Sequence, residues 1–271
     1  MSPGEPAAGG LRVDLELLVR SLADVPTIEA GDDLLEVLVS SLAHTGTDLA
    51  DGDVIVIASK IVSRAEGCFV DLGSITPSTH ASRLGEEVDK DPRLVELILR
   101  ESVGISRKTQ GALIVRHRLG FVSANAGVDA SNARPSGAPK NSGPWVLTLP
   151  RDPDSTAAAL RNELEERFAV KLAVVITDSW GRPFRRGTVG FAIGVSGLPP
   201  LWDRRGARDR HGRVLEATES AIADSIAAAA DLVAGQADEG RPITLVRGLR
   251  FQVPGDSSKA LLRDPENDLY A

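Results

Sequence analysis

The sequence predicts an α+β protein in which mixed sheets pack against helices. Two short runs of aliphatic, mostly β-branched residues, Val54–Ala58 and Ala173–Ile176, have the composition of buried strands. Elsewhere, apolar residues recur at the spacing of one helix face. A strand followed by a polar cluster recurs along the chain, at Ser59, Asn125 and Asp178, without any simple internal repeat.

Composition and charge narrow the class of protein. A chain of 271 residues can bury a full core, as one large domain or two modest ones. The formal net charge of −7 argues against a general nucleic-acid or membrane-surface binder, because both need a basic face. The single cysteine, Cys68, excludes an internal disulfide and a multi-cysteine zinc site. No apolar run has the length of a membrane span and no signal-peptide pattern opens the chain, so we expect a cytoplasmic protein.

The first elements follow from local signals. Residues 1–10 are rich in proline, glycine and alanine and are predicted to be disordered. Residues 11–23 predict a strand followed by a helical turn. A loop comes next, and Asp32 or Asp33 at its end caps a helix over residues 34–42, whose apolar residues have helical spacing.

The middle of the chain contains weaker signals. Residues 74–107 are predicted to be helical in pieces, with Pro92 at a helix start. Residues 112–115 and 119–123 predict a pair of strands. Residues 133–144, rich in Pro, Gly, Ser and Asn, predict a flexible loop or a boundary between two lobes.

The last third alternates between helix and strand. Ser155 is predicted to cap a helix through Phe168, in which Glu165 and Glu166 face water. The alanine-rich segment 216–234 has high helix propensity and ends at a glycine. Residues 242–246 predict a last buried strand.

The stretch after Ile176 carries the strongest chemical signal. Asp178 and Ser179 follow the buried run, and three arginines come next, Arg182, Arg185 and Arg186. Hard cations take carboxylate and hydroxyl oxygens, and guanidinium groups match phosphate and carboxylate oxygens two at a time. The stretch therefore suits a divalent cation held together with an anionic ligand. A polar loop with solvated arginines is the alternative.

Common catalytic motifs are missing from the sequence. It contains no G-x-x-x-x-G-K-[ST], no G-x-G-x-x-G after a strand and no G-x-S-x-G, and its four histidines lack zinc-ligand spacing. What remains is an oxygen-ligand metal site drawn from separate strand ends, with Asp129 and Asp178 as the carboxylates and Ser179 as a hydroxyl ligand. Aspartates after strands are also common turn formers and helix caps, and that alternative stays open.

An ordered set of motifs resembles the coenzyme F420-0 γ-glutamyl ligases. The motifs are Val25-Pro-Thr-Ile28, Gly31-Asp-Asp-Leu34, Asp53-Val-Ile-Val-Ile-Ala-Ser-Lys60, Ala65-Glu-Gly67, Asn125-Ala-Gly-Val-Asp-Ala-Ser-Asn132, Thr177-Asp-Ser-Trp-Gly-Arg182, Phe184-Arg-Arg-Gly187, Gly190-Phe-Ala-Ile-Gly194 and Arg247-Gly-Leu249. Each is weak alone, but together they occur in the family's order over residues 11–250.

The resemblance implies an activity. Family members add L-glutamate to the lactyl carboxylate of coenzyme F420-0, a deazaflavin precursor, and further γ-linked glutamates can follow. GTP is the co-substrate, an acyl phosphate is the intermediate, and GDP and phosphate are released. Mg²⁺ or Mn²⁺ is the implied metal, with K⁺ as a further candidate cofactor.

The resemblance also implies an architecture. It predicts two interlocked lobes that form a single ligase domain over residues 11–250, within an intertwined homodimer. Residues 251–271 then form a C-terminal tail or the start of a linker. Some relatives continue into a flavin-binding reductase domain, so this chain is either a stand-alone or a shortened form.

Site residues carry over position by position. The implied metal ligands are Asp129, Asp178 and Ser179, and the catalytic group adds Arg182, Arg185 and Arg186. The implied nucleotide contacts are Val25, Pro26, Thr27, Ile28, Ser59, Lys60, Arg64, Asn132, Gly235, Gln236, Ala237 and Asp238. Arg64 departs from the family pattern, because relatives have lysine there and the two side chains differ in hydrogen-bond geometry.

Three other functions remain open at this stage. The first is a GTP-dependent ligase that acts on a different acid. The second is a guanine-nucleotide-binding regulatory protein that keeps Asp129 and Asp178 but has no ligase activity. The third is a plain α/β domain with no metal site, which GTP and Mn²⁺ together would not stabilise.

Overall fold

The computed structural model describes residues 11–251, 255, 257–264 and 266. The predicted disorder of residues 1–10 and ten of the 21 residues of the predicted tail 251–271 lie outside them. The strands and helices, in chain order, are β1 Leu11–Ser21, α1 Leu34–Thr45, β2 Val54–Ala58, α2 Ser59–Ala65, β3 Phe69–Asp71, α3 Thr79–Val88, α4 Pro92–Arg100, β4 Ser102–Thr109, β5 Ala112–His117, β6 Val122–Ala124, β7 Trp145–Leu147, α5 Pro153–Phe168, β8 Ala173–Gly181, β9 Thr188–Ser196, β10 Leu201–Asp203, β11 Glu219–Ala221, α6 Ile222–Ala234 and β12 Ile243–Phe251. The mixed α+β class is confirmed.

A five-stranded sheet in the order β1-β12-β2-β8-β9 forms the centre of the fold. Neighbouring strands in this sheet pair antiparallel, except β2 and β8, which are the one parallel pair among the described strands. In that pair Ala58 lies beside Thr177. Because parallel strands end at the same edge of a sheet, the polar residues that follow these two positions are brought together.

Both faces of the central sheet are covered. On β8, Val174 and Ile176 belong to the core formed with α1 and α5. The alternate residues Ala173 and Val175 belong to a second core, formed with α6. A strand buried on both faces reads as a continuous apolar run, which is why Ala173–Ile176 was recognisable from sequence.

Two glycines of β9 allow helices to approach closely. A Cβ atom at Gly190 would lie 2.4 Å from the Ala227 carbonyl oxygen of α6, and one at Gly194 would lie 2.5 Å from the Pro153 carbonyl oxygen of α5. Backbone atoms cannot move aside as a flexible side chain can. The glycines therefore set the distance between the sheet and the helices on its two faces.

We expect Gly190→Ala to destabilise the protein by about 2 kcal/mol, because the new methyl group would push α6 away from β9. Urea unfolding would measure the change. Gly104→Ala is a matched control, since a Cβ atom there meets nothing within 4 Å. Equal midpoints for the two variants would contradict this account of Gly190.

A second layer lies within the connection from β2 to β8. It contains the β4-β5-β6 sheet, the β3-β7 pair and helices α3 and α4, whose buried side chains form their own core. Trp180 of β8 joins this layer to the central sheet. Its indole Nε1 donates to the Val122 carbonyl at 3.0 Å, and its ring packs edge-to-face on Phe121 with centroids 4.6 Å apart.

Several sequence predictions are confirmed. Asp33 caps α1, and its carboxylate accepts hydrogen bonds from the amides of Leu35 and Glu36. Pro92 opens α4, and Gly235 ends α6. Residues 133–144 form neither helix nor strand, and among the described residues no helix is both long and apolar enough to cross a membrane.

Other local predictions are wrong, and strand pairing explains most of them. The helical turn expected within residues 11–23 is strand, because β1 pairs with β12 as far as Ser21. Residues 102–107 were expected to be helical but belong to β4, which pairs with β5. The polar run after Ile176 was expected to leave the strand, yet β8 continues to Gly181 alongside β9.

The start of α5 also differs from the prediction. Asp152, not Ser155, is the N-cap residue, because its carboxylate accepts from the Ser155 amide at 3.1 Å and Pro153 occupies the first helical turn. Glu165 does not face water freely. It is a largely buried side chain that pairs with Arg161 and Lys171.

Candidate active site

The edge where β2 and β8 end contains a part-buried carboxylate–hydroxyl contact. Ser59 is the first residue of α2 and Asp178 is the sixth residue of β8. Because Ala58 pairs with Thr177, these next residues lie side by side, and Ser59 Oγ donates to Asp178 Oδ1 at 3.1 Å. Burial raises the pKa of Asp178 to about 6, and the nearby Asp129 charge adds to the increase although hydrogen bonds from Ser179 and Ser59 oppose it.

A second carboxylate, that of Asp129, comes to the same edge from the second layer, which lies in the connection from β2 to β8. Asp129 Oδ2 lies 2.7 Å from Lys60 Nζ, and Asp129 Oδ1 accepts from the Ser131 amide at 2.7 Å. Lys60 also donates to Ser131 Oγ at 2.8 Å. Burial alone would raise the pKa of Asp129, but the bonds from Lys60 and Ser131 lower it below its ordinary value.

The donor set fits a hard divalent cation. Asp129 and Asp178 interact electrostatically, and their environments shift their pKa values in opposite directions. Within the described residues, no group of three or more His, Cys, Asp or Glu side chains could hold an ion. Two carboxylates completed by phosphate oxygens and water are a usual set for Mg²⁺, and this edge supplies the two carboxylates.

Ser179 faces away from that pair. Asp178 contacts Ser59 at the start of α2, whereas Ser179 Oγ donates to Gln236 Oε1 at 2.5 Å, just beyond α6. The helix α6 packs on the opposite face of the central sheet, and successive side chains of a strand point to opposite faces. Ser179 and Gln236 therefore form a separate oxygen pair, which joins two positions that the resemblance assigned to metal and to nucleotide.

The three predicted arginines lie in the loop between β8 and β9. Arg185 and Arg186 are exposed, and their side chains make no hydrogen bond or ion pair with another described residue. Arg182 is half-buried, and its Nη2 donates to the Arg186 carbonyl at 3.4 Å. Its Nε is buried and finds no acceptor within the described part of the chain. Such a donor is suited to an anionic ligand.

One cleft is lined by Val25 and by no other predicted nucleotide contact. The cleft has a volume of about 410 Å³ and lies between residues 21–25 and residues 239–241. Val25 lines it, and Pro26 and Thr27 beyond are exposed, whereas Ile28 is buried. On the other side, the half-buried Gly235 and the exposed residues Gln236, Ala237 and Asp238 lead into the lining residue Glu239.

Arg64 and Asn132, two further predicted nucleotide contacts, are hydrogen-bonded to each other. The Arg64 guanidinium is buried, and its Nη1 donates to the Asn132 carbonyl at 2.7 Å. Its Nε donates to the Ile28 carbonyl, and its Nη2 pairs with Glu29 at 2.9 Å. The structure thus joins three predicted positions through one side chain whose donors are directed at the protein.

The sequence did not predict the side chains that contact Lys60 and Arg64. Ser131 holds both Lys60 and Asp129, and Glu29 pairs with Arg64 and also accepts from Ser136. The only local signal was that Ser131 lies inside a recognised motif and Glu29 adjoins one. Apart from the contact between Ser131 and Asp129, these contacts join residues 35 to 107 positions apart, which no local pattern reports.

The fold and the edge together define an α+β protein with a polar site at the carboxyl ends of two parallel strands, suited to a cation and an anion. Comparisons with known proteins sharpen this description. The sequence pattern of the family F420-0:gamma-glutamyl ligase matches residues 23–248. The chain is 47% identical to coenzyme F420:L-glutamate ligase of Methanothermobacter thermautotrophicus over 248 residues, covering 91% of this chain and 95% of the relative.

Two further relatives bear the same name. The protein of Methanopyrus kandleri is 46% identical, with 90% of this chain and 93% of the relative covered. That of Haloarcula marismortui is 40% identical, with 93% and 94% covered. The chain belongs to the F420-0:gamma-glutamyl ligase family. The resemblance recognised from the motifs is confirmed.

Proposed function

We propose that the protein is a GTP-dependent ligase that adds L-glutamate to the lactyl carboxylate of coenzyme F420-0, with further γ-linked glutamates added in turn. The reaction needs Mg²⁺ or Mn²⁺, with K⁺ as a further candidate cofactor. One observation carries the proposal: this family member brings Asp129 and Asp178, from distant parts of the chain, to the edge where its two parallel strands end.

The chemistry requires activation of a carboxylate, which is a poor electrophile. Transfer of the terminal phosphate of GTP to the lactyl carboxylate gives an acyl phosphate and GDP. The amine of glutamate then attacks the acyl carbon, the new C–N bond forms, the C–O bond to phosphate breaks, and phosphate and a proton leave. No general base is assigned, and holding the reactants together supplies much of the rate.

The chain's own residues have distinct parts in this proposal. Asp129 and Asp178 hold the divalent cation, which neutralises charge on the phosphate oxygens when bound. Ser59 orients the Asp178 carboxylate, and Lys60 orients Asp129. Arg182, with its unused buried donor, binds an anionic oxygen of nucleotide, precursor or glutamate.

Nucleotide binding fits the cleft between residues 21–25 and 239–241. Two other predicted contacts, Ser59 and Lys60, lie at the start of α2, so phosphates and metal would meet at the strand edge. Arg185 and Arg186 on the exposed loop are available for the anionic precursor. The homodimer implied by the resemblance is part of the proposal, and light scattering on the purified protein tests it.

Phosphate release from GTP with Mn²⁺ tests the proposal directly. The assay is run with and without the deazaflavin precursor and L-glutamate, and mass spectrometry follows the product. We expect release that needs both substrates, and a product heavier by whole glutamate units. Absence of GTP binding would overturn the proposed function.

Two alternatives give different results in the same assay. A regulatory protein would bind GTP tightly yet release no phosphate when both substrates are present. A ligase for another acid would release phosphate with a different carboxylate or amino acid and leave the precursor unchanged. Replacing each substrate in turn separates the two.

A further inference from the structure

Arg64 connects three segments of the chain that surround the proposed nucleotide site. Its side chain is 8% exposed, and its guanidinium lies 5.0 Å from the centroid of the Phe69 ring. Nε donates to the carbonyl of Ile28, Nη1 donates to the carbonyl of Asn132 at 2.7 Å, and Nη2 donates to Glu29. All three nitrogens are thus bonded to protein acceptors, two on residues 28–29 and one on Asn132.

Glu29 extends this network to a fourth segment. Its Oε1 accepts from Arg64 at 2.9 Å and from Ser136 Oγ at 2.7 Å, and its Oε2 accepts from the Ser136 amide at 3.1 Å. Hydrogen bonds from Ser136, together with the charge of Arg64, lower the pKa of Glu29. The carboxylate therefore stays ionised and ties the loop 133–144 to the segment 25–28.

The spacing of α2 links this network to the metal-binding carboxylates. Lys60 and Arg64 are four residues apart, so they lie on the same side of the helix, one turn from each other. Lys60 reaches Asp129 and Ser131, and Arg64 reaches Asn132 in the same segment. One short helix therefore fixes the segment 129–132 at two points and the segment 25–28 at a third.

We infer that Glu29 and Arg64 form a positioning pair that presets the segments 25–28 and 129–132 for the nucleotide. This inference rests on the proposed function. The Glu29 carboxylate accepts three hydrogen bonds, one from Arg64 and two from Ser136. The pair acts by holding backbone that the nucleotide would contact, not by contacting it.

Two conservative variants separate positioning from direct contact. Arg64→Lys keeps the charge, but the one nitrogen of an ammonium cannot occupy the three positions from which Nε, Nη1 and Nη2 donate. Glu29→Gln keeps the shape and removes the charge that fixes the guanidinium. We expect each variant to weaken GTP binding about tenfold, measured by calorimetry with Mg²⁺, and to raise KM for GTP by a similar factor. The kcat at saturating GTP and the KM for glutamate stay within about twofold of wild type.

The matched control is Glu36→Gln. Glu36 forms an exposed ion pair with Arg167 at 3.2 Å, between α1 and α5 and away from the site, so its loss leaves GTP affinity unchanged. Binding is measured at least 15 °C below each melting temperature, so that lower stability alone does not mimic weaker binding.

The outcomes separate this inference from the proposed function. Wild-type affinity in either Glu29→Gln or Arg64→Lys would overturn the inference while leaving the ligase proposal standing. Retained affinity in Arg64→Lys alone would indicate a direct contact between this charge and a phosphate. A wild-type protein that binds no GTP would overturn the proposed function, and the inference with it.

Discussion

Replacing Asp178 with asparagine is expected to abolish ligation and, at neutral pH, to stabilise the protein. The carboxylate is one of two that hold the proposed cation, and an amide is a far weaker ligand. Losing a ligand that neutralises charge in the transition state lowers kcat by about 10³-fold or more. Phosphate release with both substrates measures the loss.

The expected gain in stability follows from the raised pKa of Asp178. Its ordinary value is 3.8 and its folded value is about 6, so the folded protein binds the proton more tightly than the unfolded chain. Below about pH 4, ionisation of this group costs the folded wild-type protein no stability. The cost grows as the pH rises from 4 towards 6, and it is constant above about pH 7. Asparagine removes the penalty, which is roughly 1–2 kcal/mol for this half-buried group.

Chemical unfolding with chelator at pH 5 and pH 8 tests that dependence. The advantage of Asp178→Asn over wild type is larger at pH 8 than at pH 5. Adding Mn²⁺ and GTP stabilises wild type but not the variant. Asp203→Asn is the control, because that exposed carboxylate pairs only with arginine on the surface. A variant that ligates at the wild-type rate would remove Asp178 from the mechanism.

Replacing Arg247 with methionine is expected to lower stability by about 3–5 kcal/mol, because it leaves a buried carboxylate without its charged partner. Asp53, directly before β2, is fully buried. Arg247 Nε and Nη2 each donate to it at 2.7 Å, and Nη2 also donates to the Asp48 carbonyl. The pair fastens β12 to β2 in the middle of the central sheet.

Arg205→Met provides the matched control for Arg247→Met. Arg205 also donates to a carboxylate, that of Asp203, through Nε and Nη2. Because both groups are exposed, little change in stability is expected. Urea unfolding of both variants gives the comparison. Similar small losses in the two would show that burial of Asp53 does not determine the strength of this pair.

Local sequence was sufficient to predict those elements whose apolar spacing and cap residues lie close together in the chain. The run from Val54 to Ala58 and the helix capped by Asp33 were recognisable because apolar spacing and cap chemistry are local. The strand at residues 102–109 was missed because most of its residues are exposed and its stability comes from pairing with β5. Pairing with β5, rather than the sequence of residues 102–109 itself, makes this segment a strand.

The candidate site shows the same limit. Asp129, Asp178, Ser59 and Lys60 were predicted by motif, and the structure brings them to one edge of the sheet. The opposite orientation of Ser179 was not predicted, because it depends on β8 continuing beyond Ile176 beside β9. No run of neighbouring residues could have revealed that extension.

The parallel pairing of β2 and β8 has a consequence for the order of folding. Ser59 and Asp178 are 119 residues apart, and the connection between them carries the whole second layer, including Asp129. Closing so long a connection costs chain entropy that only the completed tertiary contacts offset. We therefore expect the proposed cation site to form among the last events, so that a partly folded chain has the ligand residues but not the site. Under this proposal, cation affinity would report completed folding.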